Sequence, residues 1–131
     1  MSDTHGAVWW SELNTRNVDK AKDYYTKILG WTIDDMPMAD GMVYHVAMRD
    51  GKPVAGIFDM TKVPGMEGIP DHWFTYMAVD DVDAATKQTK DLGGDVVRDP
   101  WDAEGVGRIA ILKDAAGAAV GLMTPAPQPA N

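Results

Sequence analysis

From residue 8 to residue 14 bulky apolar side chains alternate with polar ones. The pattern predicts a strand with two unlike faces, Trp10, Glu12 and Asn14 on one and Trp9, Ser11 and Leu13 on the other. Asn17 is a good N-cap, and Val18, Ala21, Tyr24, Tyr25, Ile28 and Leu29 follow at helical spacing, so an amphipathic helix is expected to run inward-facing to Gly30. Shorter strands are expected over residues 31–36, 42–49 and 53–60, the last two joined through the hairpin pair Asp50-Gly51. The unit reads as strand, helix and three strands.

The second half of the chain writes the same unit again. Adding 64 to each number pairs Trp9-Trp10 with Trp73-Phe74, Val18-Asp19 with Val82-Asp83, Ala21 with Ala85, Gly30 with Gly94 and Ile33 with Val97. The offset continues through Arg49-Asp50 with Lys113-Asp114, Ala55 with Ala119, and Ile57-Phe58 with Gly121-Leu122. A constant register of this length implies one structural unit built twice with nothing inserted between the copies, and two copies suit a paired domain better than a solenoid. The expected organisation is module one over residues 8–60, a connection over 61–71, module two over 72–124 and a loose, Pro- and Ala-rich tail over 125–131. In module two Asp81 caps a helix with Val82, Ala85, Thr89 and Leu92 inward, and strands are expected over 72–79, 95–101, 107–112 and 118–124. The connection, with Met66 in it and Met60 just before it, is expected to close over a bound molecule.

Composition narrows the classes of function. At 131 residues the chain can bury a core of its own, and its 45% hydrophobic and 24% charged content is that of a globular protein. A formal net charge of -8 with scattered lysines argues against nucleic acid and anionic membranes as partners. No apolar run reaches membrane-spanning length, the start has no leader pattern, and cysteine is absent. A cytoplasmic location is expected.

Asn17-Val18-Asp19, Ala21, Tyr24-Tyr25, Ile28-Leu29-Gly30-Trp31, Val54-Ala55-Gly56-Ile57, Val79-Asp80-Asp81-Val82-Asp83, Leu92-Gly93-Gly94, Asp114 and Gly117-Ala118 occur in that order. With the doubled βαβββ pattern they resemble the vicinal oxygen chelate superfamily, which holds glyoxalase I, bleomycin-resistance proteins and extradiol dioxygenases. The resemblance implies an α+β fold of two tandem βαβββ modules, a curved, mainly antiparallel eight-stranded sheet around a concave cleft with the helices outside. It also implies that metal-dependent members hold an ion with one side chain from the first and one from the last strand of each module. Carried onto this chain, those positions are Trp10, Ile57, Phe74 and Gly121. None of them can bind a metal. A one-residue slip brings Gly56 and Val120, or Trp9 and Trp73, which help no more.

Three groups remain as candidate chemistry. If the first strands run antiparallel about a pseudo-twofold axis, Glu12 and His72 become neighbours within reach of Tyr76, as a general base with an orienting partner or as two ligands of an incomplete metal site. The plain alternative is that both satisfy backbone groups at a wet strand end. Trp10, Phe74 and Tyr76, with Trp31 and Trp101 from the second strands, form an aromatic set suited to planar or apolar ligands, while Trp9 and Trp73 are expected in the core. Asp59 shares a face with Ala55 and Ile57 by alternation, so it either points into the cleft mouth or ends a strand in water. His45 has no spaced partner in the sequence.

The reading that follows is a glyoxalase-like protein that binds a small apolar or aromatic molecule without the family metal, through Trp10, Glu12, Ile57, Asp59, His72, Phe74, Tyr76 and Gly121. No cofactor is expected. The alternative is a lyase, isomerase or hydroxylase-like enzyme using Glu12 and His72, with or without a divalent metal. A homodimer is expected, because the architecture leaves sheet edges to cover.

Overall fold

The computed structural model describes residues 3–38, 41–103 and 105–126. Its element order is β1 (Val8–Thr15), α1 (Val18–Leu29), β2 (Thr32–Pro37), β3 (Val43–Arg49), β4 (Lys52–Asp59), a 3-10 turn over Met60–Lys62, β5 (His72–Ala78), α2 (Val82–Asp91), β6 (Asp95–Ala103), β7 (Gly107–Lys113) and β8 (Ala119–Pro125). The doubled βαβββ order and the α+β class expected from the sequence are what the chain adopts. Asn17 Oδ1 accepts from the Lys20 N–H at 3.0 Å and Gly30 closes α1 in the left-handed region at φ 72, the conformation glycine adopts without cost. Asp81 caps α2 in the same way, accepting from the Ala84 N–H.

The chain forms two compact units, and their boundary falls inside the first strands rather than between the repeats. The first unit runs from Trp10 to Phe74; the second combines the residues up to Trp9 with those from Thr75 onward. Backbone hydrogen bonds explain the assignment of the N-terminal residues: Gly6 N–H donates to Ala78 O at 2.7 Å, and Ala78 N–H donates to Ala7 O at 2.9 Å.

In the first unit β1 pairs with β4 in parallel, and β3 lies antiparallel between β4 and β2. The register sets Leu13 beside Ile57, Ile57 beside His45, Ala55 beside Ala47 and His45 beside Asp35, so these residues share one face. Lys22 of α1 donates to Asp35 at 2.9 Å, which identifies that face as the helix side. Leu13, Ala47, Ala55 and Ile57 are buried there. The opposite, open face carries Trp10, Glu12, Asn14, Tyr44, Val46 and Gly56. Of the residues expected to turn inward on α1, Val18, Ala21 and Tyr25 are half-buried, whereas Tyr24, Ile28 and Leu29 are more than half exposed. Neighbours in sequence stand about 100° apart on a helix, so Tyr24 cannot follow Tyr25 onto the sheet.

In the second unit β8 pairs in parallel with β5 and antiparallel with β7, which pairs with β6. Val82, Ala110 and Leu112 form its core with Val79, Val96, Val120 and Leu122 packed around them. Thr86 is buried and its hydroxyl donates to Val82 O at 2.7 Å, while Leu92, expected inward, is 67% exposed just past the end of α2. Of the tail expected from residue 125, Pro125 instead ends β8 and Ala126 N–H donates to Val106 O at 3.0 Å; residues 127–131 lie outside the described residues.

The fixed offset of 64 fails at the last two strands. Glu12 pairs with Gly56 and its repeat partner Tyr76 pairs with Gly121, so Gly121 is the counterpart of Gly56 and not of Ile57. Two register shifts in β6 absorb the extra residue, and the second β-hairpin turns through Asp114, whose carboxylate accepts from the Ala116 and Ala118 N–H groups, instead of through two residues.

Candidate ligand-binding site

Strand alternation in the first unit lifts Trp10 and Glu12 onto the open face, and Tyr44 of β3 reaches across β4 to meet them. Trp10 Nε1–H donates to the Tyr44 hydroxyl at 3.0 Å, and that hydroxyl donates to Glu12 Oε2 at 2.7 Å. Gly56 makes the crossing feasible. A Cβ there would stand 1.6 Å from the Tyr44 oxygen, so the ring lies where any other residue would put its side chain. The result is a chain of three aligned groups, indole to phenol to carboxylate, the last bond strengthened by the charge on Glu12.

The second unit fills its equivalent gap from the adjacent strand. Tyr76 lies beside Gly121, where a Cβ would meet its ring at 2.2 Å. Tyr76 is nearly buried, as are Ile109 and Met123 on the same face.

The structure revises several sequence-based expectations. Ile57 is fully buried on the helix side beside Leu13, so it lines no ligand face; the offset of 64 had hidden the extra residue in the second copy. Asp59 shares that side and does not point at a ligand: its Oδ1 accepts from Thr61 N–H at 2.9 Å and Thr61 Oγ1–H at 2.6 Å, capping the 3-10 turn. His72 Nδ1 lies 2.8 Å from Pro70 O, so it carries the proton and donates, and the ring meets Phe74 edge-on at 6.3 Å. Glu12 is instead held by Tyr44. Phe74 is buried. Trp31 stacks on Tyr25 of α1 at 5.5 Å, and Trp73 donates to the Tyr25 hydroxyl at 3.0 Å, which places both in a cluster with the helix. Trp73 is 41% exposed and Trp9 36% exposed, so neither is a core residue; Trp9 lines a cavity of about 290 Å³ in the second unit with Val79, Thr124 and Pro125.

Two polar clusters surround the first unit's sheet. His45 does have a partner, Asp35, at 2.6 Å across the β2–β3 pair, with Lys22 on the same carboxylate oxygen; His45 first and Lys22 second hold the Asp35 carboxyl below its usual range. At the end of β1 the Thr15 hydroxyl donates to Asp71 at 2.6 Å and lowers its carboxyl in the same sense. The Arg16 guanidinium donates to the Met66 and Ile69 carbonyls, tying the connection to β1. Sequence reasoning missed Tyr44 as a site residue. The signal was present: a glycine inside an apolar strand, Gly56, marks a place where another group comes close.

The model of the Glyoxalase/Bleomycin resistance protein/Dioxygenase superfamily matches residues 7–122. The chain belongs to that superfamily. Among its relatives, "Putative glyoxylase CFP32" of Mycobacterium tuberculosis is 38% identical over 123 residues, covering 94% of this chain and 46% of the relative. "Anthracycline biosynthesis protein DnrV" of Streptomyces peucetius is 37% identical, covering 87% of this chain and 45% of the relative. The chain thus spans about half the length of the curated relatives it matches. Among solved structures, methylmalonyl-CoA epimerase of Streptomyces coelicolor has TM-score 0.68 at 18% identity, covering 95% of this chain and 100% of that one. The hypothetical protein BH1468 of Bacillus halodurans has TM-score 0.71 at 11% identity, covering 96% and 99%. These structures share the fold.

The residues at the positions that the family resemblance implies for a metal do not supply one with ligands. Trp10 and Phe74 stand on the first strands, and with β8 realigned by one residue the last-strand positions on the open faces are Gly56 and Gly121. Indole, phenyl and glycine offer no donor, and among the described residues no three His, Asp or Glu side chains converge. The donor set does not fit a divalent ion. No helix among the described residues is long and apolar enough to cross a membrane.

Proposed function

We propose that this superfamily member binds a small apolar or aromatic molecule on the open face of its first unit, without the family metal. The observation that carries the reading is the chain Trp10–Tyr44–Glu12. Its two aromatic groups offer area for stacking, and its carboxylate offers one directed acceptor. A face of this kind recognises a planar body through the rings and a donor on that body through the Glu12 carboxylate. The names of the relatives fit small-molecule chemistry, one as a putative glyoxylase and one in anthracycline biosynthesis.

Trp10→Ala is expected to weaken binding of a planar aromatic probe such as 2-naphthol by about tenfold or more, as removal of a stacking partner does, while moving the melting temperature little because Trp10 is only half-buried. Calorimetric titration beside thermal melts gives both quantities. Unchanged affinity in Trp10→Ala would remove this face from the site.

A further inference from the structure

We infer that a cavity within the second unit, walled by Trp9 and Asp80, binds a small quaternary ammonium ion. The site is separate from the aromatic face of the first unit and does not depend on the ligand proposed there.

The first observation is a wall formed in advance. The cavity, of about 290 Å³, is lined by three segments of the second unit: Thr4 and Trp9 near the start of the chain, Val79 and Asp80 after β5, and Thr124 and Pro125 at the end of β8. Backbone hydrogen bonds fix these segments to one another. Gly6 N–H donates to Ala78 O at 2.7 Å, Ala78 N–H to Ala7 O at 2.9 Å and Val79 N–H to Met123 O at 2.8 Å. Thr124 Oγ1 accepts from the Val82 N–H at 3.0 Å, which ties the end of β8 to the start of α2. A ligand entering such a cavity is spared the cost of ordering its walls.

The second observation concerns Trp9. Of the five tryptophans, Trp10 donates to Tyr44, Trp31 stacks on Tyr25, Trp73 donates to Tyr25, and Trp101 holds the Arg98 guanidinium 3.6 Å from its ring centre. Trp9 alone makes no hydrogen bond or ring contact among the described residues, and it is 36% exposed. An indole at a cavity wall with no protein partner for its ring has a π surface to offer a ligand.

The third observation is electrostatic. His5 Nδ1 accepts from the Asp80 backbone N–H at 2.9 Å, so its proton sits on Nε2. That nitrogen therefore brings no positive charge to the Asp80 carboxylate 3.7 Å away. A carboxylate and an indole in one cavity attract a cation, the more so in a chain of net charge -8. The apolar walls, Val79 and Pro125, select among cations. A primary ammonium needs an acceptor for each of its three N–H groups, whereas a quaternary ammonium has no donor to satisfy and packs its methyl groups on apolar and aromatic surface.

A purely structural role for Trp9 and Asp80, holding the first residues against the end of β5, needs no ligand and predicts that their replacement moves the melting temperature alone. The two roles separate by experiment. The protein, Asp80→Asn, Trp9→Leu, Trp9→Phe and Trp10→Ala are titrated calorimetrically with choline and with 3,3-dimethyl-1-butanol, its uncharged counterpart of the same shape, and melts establish that each variant is folded. The parent protein is expected to bind choline about tenfold more tightly than the alcohol. Asp80→Asn abolishes that preference, Trp9→Leu weakens choline about tenfold, and Trp9→Phe, which keeps a ring, retains part of the affinity. Trp10→Ala, in the other unit, binds choline as the parent does. Absence of choline binding, equal affinity for the two compounds, or a preference that survives Asp80→Asn overturns the inference. So does a loss of choline affinity in Trp10→Ala that Trp9→Leu does not share, which moves the cation to the first unit.

Discussion

Replacing Ile57 with Ala is expected to cost about 2–5 kcal/mol of unfolding free energy, the range found when a fully buried aliphatic side chain is truncated. Ile57 has no exposed surface and sits between Leu13 on β1 and His45 on β3. Its loss leaves a cavity on the helix side, lined by small residues such as Ala47 and Ala55 whose short side chains cannot move in to fill it. For a chain of this size the melting temperature is expected to fall by roughly 10 °C. Affinity for an aromatic probe, measured on the folded fraction at low temperature, should stay close to that of the parent protein because the open face is untouched. A variant that melts like the parent but binds poorly would return Ile57 to the ligand site, where the alignment of the repeats had placed it.

The second large effect separates the two glycines. Gly121→Ala is expected to cost about 1–3 kcal/mol, as overpacking of a filled interior does. Its Cβ would stand 2.2 Å from Tyr76 Cδ1 and 3.0 Å from Cγ, close to the root of a ring that is itself buried, so the strand and not the side-chain tip has to move. Gly56→Ala meets the opposite end of a tyrosine, the Tyr44 hydroxyl, and Tyr44 is only half-buried. That ring can swing aside at small cost, but in doing so it releases Trp10 and Glu12. Stability should therefore fall mainly in Gly121→Ala and ligand affinity mainly in Gly56→Ala. Melting curves and titrations on the two variants decide the point, and a reversed pattern would contradict the roles given to Tyr44 and Tyr76.

The parts of this architecture that were legible in the sequence are those with local causes. Asn17 and Asp81 announced the two helices because a capping side chain acts within three residues, and Gly30 announced the end of α1 because its left-handed backbone favours glycine. The repeat revealed the doubled fold for the same reason, since each copy needs the same caps and turns. What was not legible depends on register between distant strands. One extra residue in the second copy, accommodated by bulges in β6, moved Gly121 from the level of Ile57 to that of Gly56, on the open face of its unit. Likewise His45 gained its partner only through the β2–β3 pairing. Asp35 and His45 stand equally far from residue 40, so counting outward from the turn would have found the pair.

Tyr44 shows the remaining gap between pattern and site. Alternation alone could place it on the same face as Trp10, but its reach across β4 depends on the space left by Gly56. Packing of that kind is a property of three strands together. Trp9 and Trp73 err in the other direction: bulk suggested burial, whereas an indole can leave a third of its surface in water and still pack its remaining area, as Trp73 does on Tyr25.

The central claim, that this superfamily member recognises a small molecule through aromatic groups where metal-dependent relatives place ligands to an ion, is tested most directly by its metal content. The purified protein is dialysed against Ni, Zn, Mn and Fe(II) in turn, freed of excess ion and analysed by mass spectrometry for bound metal per chain. The account predicts far less than one ion per chain for every metal, with affinity for 2-naphthol the same before and after dialysis. One retained ion per chain, lost on Glu12→Ala, would contradict it.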